Sequence, residues 1–163
     1  MSKMIRQLSR ADKAGIYQVI NSAARAYKGV IPADRYHEPY MPEEELIREM
    51  EEMTFFGWDE SGEIVGVIGY QPIKDVTLVR HLYVLPEHQK KGIGSGLIMH
   101  IKQMTRTRFL LVGTWADATW AIAFYQKHGF KFMPDKDGLL RKYWNIPRRQ
   151  IETSVVMGIE IHT

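Results

Sequence analysis

Two lysines and three glycines crowd into seven residues, Lys90-Lys91-Gly92-Ile93-Gly94-Ser95-Gly96. Glycine lets a backbone approach an anion closely and reach dihedrals that other residues avoid. The residues just before this stretch, Val76 to Val84, are mostly β-branched or aromatic, and Pro86 ends the run, which predicts a strand. Just after it, Ile93, Leu97, Ile98, Ile101 and Met104 recur at helical spacing. The lysines and glycines therefore join a strand to a helix N-terminus, where unpaired N–H groups and the helix dipole favour a phosphate. The alternative is a plain strand-to-helix turn whose glycines serve close packing.

Two familiar phosphate loops do not fit. A Walker loop needs Gly-Lys followed by Ser or Thr, and the order here is Lys91-Gly92-Ile93. The dinucleotide fingerprint needs its third glycine at position 97, which is Leu. What fits is Gln89-x-x-Gly92-x-Gly94 directly after a strand ending in Leu82-Tyr83-Val84-x-Pro86. This resembles the acetyl-CoA-binding motif of the GNAT superfamily of N-acetyltransferases. A second block, Ala121-x-x-Phe124-Tyr125-x-Lys127-x-Gly129-Phe130, is similar to that family's second motif, in the right order and at a plausible separation. The resemblance is carried chiefly by residues 76 to 132.

The resemblance implies acetyl-CoA as cofactor and acetyl transfer to a primary amine of a small molecule or peptide, by direct attack. Backbone amides of Gln89, Lys90, Lys91, Gly92, Ile93, Gly94 and Ser95 would hold the CoA pyrophosphate, with Lys90 and Lys91 adding charge. A backbone N–H from Leu82, Tyr83 or Val84 would polarise the thioester carbonyl. Phe124 and Lys127 of the second block are placed with the cofactor by the resemblance, while the Phe124 side chain itself reads as packing. Tyr125 matches the family's general acid, which helps expel a thiolate whose pKa is about 8.5. Neither a metal nor a covalent enzyme intermediate is implied. A non-catalytic acyl-CoA-binding or sensor domain on the same fold is the alternative.

Two departures from the family pattern bear on mechanism. Many relatives carry an asparagine where Ala118 stands, three residues before Ala121. Some relatives take a catalytic Glu or His from the central strand at places matching Leu78 and Arg80, and neither can act as a base here. An acceptor ammonium, with a pKa of about 10.4, must still lose a proton before it attacks. Strand alternation puts His81 on the face opposite Leu78 and Arg80, where it reads as structural. His37, Glu38 or an ordered water are the remaining bases. Arg80 is read as a substrate contact that selects acceptors bearing a carboxylate or phosphate, the alternative being a structural ion pair. Tyr27 and Glu38, in a loop with prolines at 32, 39 and 42, are further substrate candidates.

The elements that must position these residues follow in order. Ile5 to Leu8 reads as a strand, and a helix runs from the Ser9-Arg10-Ala11-Asp12 start signal to about Ala26, with Ile16, Val19, Ile20 and Ala23 inward. Pro42-Glu43-Glu44-Glu45 opens a second helix with Leu46, Ile47, Met50 and Met53 as its buried stripe. Phe55 to Trp58 and Ile64 to Gln71 form a hairpin before the central strand. Phe109 to Trp115 reads as a buried strand parallel to the central one, Ala118 to His128 as a helix closed by Gly129, and Phe130 to Phe132 as a strand. Leu139 to Pro147 is ambiguous, and Glu152 to Ile161 alternates as a last strand. The fold class is α/β: a single domain over residues 1–163 with a mixed, mostly antiparallel central sheet and helices on both faces, the GNAT acyl-CoA N-acyltransferase fold.

Composition narrows the alternatives. With 163 residues, 45% of them hydrophobic and 25% charged, the chain suits one soluble globular domain. No cysteine is present, which removes disulfides, thiolate metal sites and cysteine nucleophiles. The net charge of +3 is spread along the chain without a nucleic-acid motif, so no nucleic-acid partner is expected. Met1-Ser2-Lys3-Met4-Ile5-Arg6 has no apolar core behind its charges and no apolar run reaches a membrane span, so no membrane partner and a cytoplasmic location are expected. A homodimer is left open.

Overall fold

A computed structural model describes residues 4–162. Met1, Ser2 and Lys3, read above as lacking a secretory core, lie outside the described residues, as does Thr163. The elements are β1 (Ile5–Gln7), α1 (Lys13–Ala23), α2 (Glu43–Glu52), β2 (Thr54–Glu60), β3 (Glu63–Ile73), β4 (Val76–Val84), α3 (Ile93–Met104), β5 (Phe109–Trp115), α4 (Thr119–Lys127), β6 (Lys131–Phe132), α5 (Lys136–Tyr143), α6 (Arg148–Glu152) and β7 (Ser154–Glu160). One seven-stranded sheet runs in the order β1-β2-β3-β4-β5-β7-β6. The pairs β1–β2, β2–β3, β5–β7 and β6–β7 are antiparallel.

The described residues divide into two compact units. The first takes the chain up to residue 26 with residues 37–71 and 79–104; the second takes residues 27–36, 72–78 and those from 105 on. In the first unit, the apolar stripes of α1 and α3 supply Ile16, Val19, Ile20, Leu97, Ile98 and Ile101, all fully buried. In the second, Val76, Leu78, Leu111, Leu140, Tyr143, Ile151 and Val156 form the core. The ambiguous stretch 139–147 contributes to α5, whose start is capped by the Asp135 carboxylate accepting from the Gly138 amide. Helix α6 has no counterpart in the periodicity, because five residues are too few for a helical pattern to emerge.

On α2 the expected stripe is only half right. Leu46 is buried, but Ile47 is 37% exposed, and Glu49 takes the inward position one turn on. Its carboxylate points at β4, where the backbone departs from regular strand geometry. His81 has φ of 51°, a left-handed conformation that a non-glycine residue adopts in mid-strand only when its surroundings hold it there. Gly69 on β3 is what lets β4 come so close. A Cβ built on it would stand 2.9 Å from the Arg80 carbonyl oxygen, 3.0 Å from Arg80 Cβ and 2.8 Å from Met53 Sδ. The carbonyl belongs to the backbone and cannot swing aside. Gly69→Ala should therefore cost about 2 kcal/mol, the usual scale of overpacking, read as a lowered denaturation midpoint at unchanged m-value.

Candidate active site

The loop after β4 has the form expected of an anion cradle. Lys90 and Gly92 both take left-handed dihedrals, with φ of 64° and 82°. A Cβ on Gly92 would meet nothing within 4 Å, so that face of the loop is open. Lys90 and Lys91 are exposed, while Ile93 is buried and anchors the first turn of α3. The N–H groups of Ile93 and Gly94 lie in that first turn, which offers them no acceptor within the helix. Gln89 fastens the loop to the strand, its Nε2 donating to the Val84 carbonyl at 3.1 Å. Leu82, Tyr83 and Val84 are each half-buried at the strand end. Open space, two cations and the first turn of a helix fit the diphosphate of a CoA molecule.

Further up β4, an arginine, a histidine and a carboxylate meet. Arg80 Nη2 donates to Glu49 Oε1 at 3.1 Å, and its Nη1 to Gln71 Oε1 at 2.9 Å. His81 Nε2 bonds the same carboxylate oxygen, and its ring stacks on Phe55 at 6.1 Å. Strict alternation would send neighbouring strand residues to opposite faces. The left-handed backbone at His81 breaks that alternation, so the expectation that His81 and Arg80 point apart does not hold. The anion that Arg80 would seek from a substrate is supplied by Glu49 from the chain itself. Burial pushes the Glu49 carboxyl up, but the hydrogen bond from His81, its charge, and those of Arg80 and Arg48 hold it below the usual carboxylate range.

In the second unit, α4 presents Tyr125. The helix ends as expected, with Gly129 left-handed at φ of 90°. The Tyr125 ring is buried edge-on against Phe124 and Phe130, both at 5.3 Å. Its hydroxyl has no hydrogen-bond partner among the described residues. Burial pushes that hydroxyl far above the ordinary tyrosine range, and nearby Tyr27 adds a smaller push. Tyr27 is itself buried and stacks on Trp120 at 5.9 Å, so the loop residue proposed for substrate sits with the Tyr125 group. Phe124 is half-buried and Lys127 exposed, while Ala118 is fully buried ahead of α4. In the first unit, Glu38 and His37 are exposed, and His37 Nδ1 lies 2.7 Å from the Pro39 carbonyl oxygen.

Residues 16–130 match the model of the acetyltransferase (GNAT) family. The chain belongs to that family. It is 30% identical over 86 residues to human N-acetyltransferase 8, a stretch covering 47% of this chain and 38% of that curated relative. Among solved structures it is similar to the PaiA N-acetyltransferase of Thermoplasma acidophilum in complex with coenzyme A. The TM-score is 0.74 at 21% identity, over 98% of this chain and 99% of the other. It is also similar to the ribosomal-protein-S18-alanine N-acetyltransferase of Escherichia coli, with a TM-score of 0.69 at 17% identity over 98% and 94% of the two chains. These last two likenesses show a shared fold. Among the described residues there is no cluster that could hold a metal ion, and no helix long and apolar enough to cross a membrane.

Proposed function

We propose that this GNAT acetyltransferase is one domain over residues 1–163 that transfers an acetyl group from acetyl-CoA to a primary amine. The observation that carries the reading is the open, doubly left-handed loop at residues 90–92, leading into the first turn of α3. When bound, acetyl-CoA supplies the acetyl group as an activated thioester. The amides of residues 90–94 and the two lysines would bind its diphosphate, the Gln89 amide being taken by the Pro86 carbonyl at 3.3 Å. A backbone N–H at Leu82, Tyr83 or Val84 would polarise the thioester carbonyl. Tyr125 Oη holds a proton throughout the physiological range and donates it to the departing sulfur.

The test is CoA release across a panel of small amines and peptide N-termini. Turnover on at least one supports the transferase reading; binding without turnover on any supports a non-catalytic acyl-CoA sensor. Binding itself is checked separately. Acetyl-CoA at a hundred times its dissociation constant should stabilise the fold by about 2.7 kcal/mol, read as a raised melting temperature. Gly92→Glu should abolish that shift. It strains a left-handed position and sets a carboxylate beside the diphosphate. A normal shift in the variant would put the phosphate site elsewhere.

A further inference from the structure

We infer that His81, held in place by Glu49, is the general base that takes the proton from the acceptor amine. The inference rests on the transferase reading and adds to it a group that the sequence pattern left unassigned.

Three observations carry it. First, His81 occupies its place at the cost of a left-handed backbone in mid-strand, and a residue so held commonly marks a functional site. It directly precedes Leu82, the first of the residues whose amides face the thioester in the proposed reading. Second, the ring has a defined orientation. Glu49 Oε1 receives both His81 Nε2 and Arg80 Nη2, and Phe55 stacks on the ring face. An ionised carboxylate can only accept, so the neutral ring carries its proton on Nε2 and its lone pair on Nδ1. Third, Nδ1 has no hydrogen-bond partner among the described residues. A histidine with one nitrogen on a buried carboxylate and the other free has the arrangement of an oriented base.

The charged groups around the ring suit the task. Glu49 on α2 stabilises the imidazolium that forms, while Arg80 beside it keeps Glu49 ionised. The competing candidates are placed less well. His37 Nδ1 already lies against the Pro39 carbonyl oxygen, and Glu38 is exposed. Per transfer, one of the ammonium's three N–H bonds breaks toward His81 Nδ1, leaving the electron pair on nitrogen. That pair forms the new C–N bond and the C–S pair leaves with sulfur. A second N–H proton replaces the one the sulfur gains, and His81 releases its own proton to solvent.

The test uses variants that accept the left-handed backbone. His81→Asn tolerates positive φ and has no base, and His81→Gly accepts the conformation freely while opening space for exogenous imidazole. In wild type, kcat/KM against pH should show an acid limb of unit slope. His81→Asn should lose that limb and about 10²-fold or more in kcat/KM with acetyl-CoA binding retained, and imidazole should restore His81→Gly. Nitrogen NMR of the labelled protein, with His81 identified by its absence in His81→Asn, should show the neutral ring protonated on Nε2. Turnover by wild type with an unchanged limb in His81→Asn would overturn the base alone, as would a ring protonated on Nδ1. No turnover by wild type on any amine would overturn the transferase reading and the base with it.

Discussion

Tyr125→Phe should lower kcat by about 10²-fold while acetyl-CoA still raises the melting temperature as in wild type. The substitution removes one oxygen and keeps the ring that packs on Phe124 and Phe130, so the fold is preserved. General acid catalysis spans about 10²–10⁴-fold, and two facts place this residue at the lower end. A thiolate is a fair leaving group without help, since its conjugate acid has a pKa of about 8.5. In addition, burial makes the Tyr125 hydroxyl a weaker acid than a free phenol. The same burial fixes the pH dependence. A pKa raised above the usual value keeps the hydroxyl protonated across the alkaline range, so Tyr125 should give kcat no descending limb below about pH 10. The measurement is kcat against pH for both proteins with chemistry rate-limiting. An unchanged kcat retires Tyr125 as the acid, and an alkaline limb that the phenylalanine variant abolishes would show that the hydroxyl ionises earlier than its burial allows.

The parts of this molecule that were legible in its sequence are those where one local signal decides. The central strand, the helix after it and the following strand match the bounds read from β-branched runs and helical spacing. Gly129 at the end of α4 stands where a left-handed residue is required. The loop at residues 90–92 was legible as a glycine cluster after a strand, although the left-handed turn at Lys90 carries no signal in that residue's type. What stayed hidden is what depends on partners distant in sequence. The face of α2 that meets β4 carries Glu49, and an apolar pattern cannot reveal a carboxylate buried because an arginine and a histidine await it on another element. Likewise, alternation assumes a regular strand, and nothing in Val79-Arg80-His81-Leu82 announces the turn of the backbone at His81. Gly69 is the nearest to a sequence clue, a strand glycine signalling close backbone approach. It names the neighbour that yields, and leaves open which residue on β4 is displaced.

Glu49→Ala should cost about 3 kcal/mol at neutral pH, because it leaves the Arg80 guanidinium and the His81 Nε2–H without the buried carboxylate that accepts from both. The carboxylate, Arg80 and His81 side chains are 15%, 19% and 16% exposed. That is buried enough for the loss of one partner to approach the 3–5 kcal/mol typical of a broken buried pair, and wet enough to keep it at the lower bound. For a chain of this length each kcal/mol corresponds to about 2–4 °C, so the melting temperature should fall by about 6–12 °C. The pH dependence follows from the direction of the Glu49 shift. Its carboxyl lies lower in the folded protein than in the unfolded chain, where a glutamate titrates near 4.3. The folded state therefore gains from its ionisation above that value and loses the gain as pH falls through the folded one. Wild type and Glu49→Ala should differ most near neutrality and converge below about pH 4. Glu49→Gln separates charge from shape: its amide oxygen can still accept from Arg80, so it should melt between the two. Thermal melts of the three proteins from pH 3 to 8 make the comparison. A pH-independent gap between wild type and Glu49→Ala would mean that α2 is held to β4 by packing, with the bonds from Arg80 and His81 to the Glu49 carboxylate contributing little.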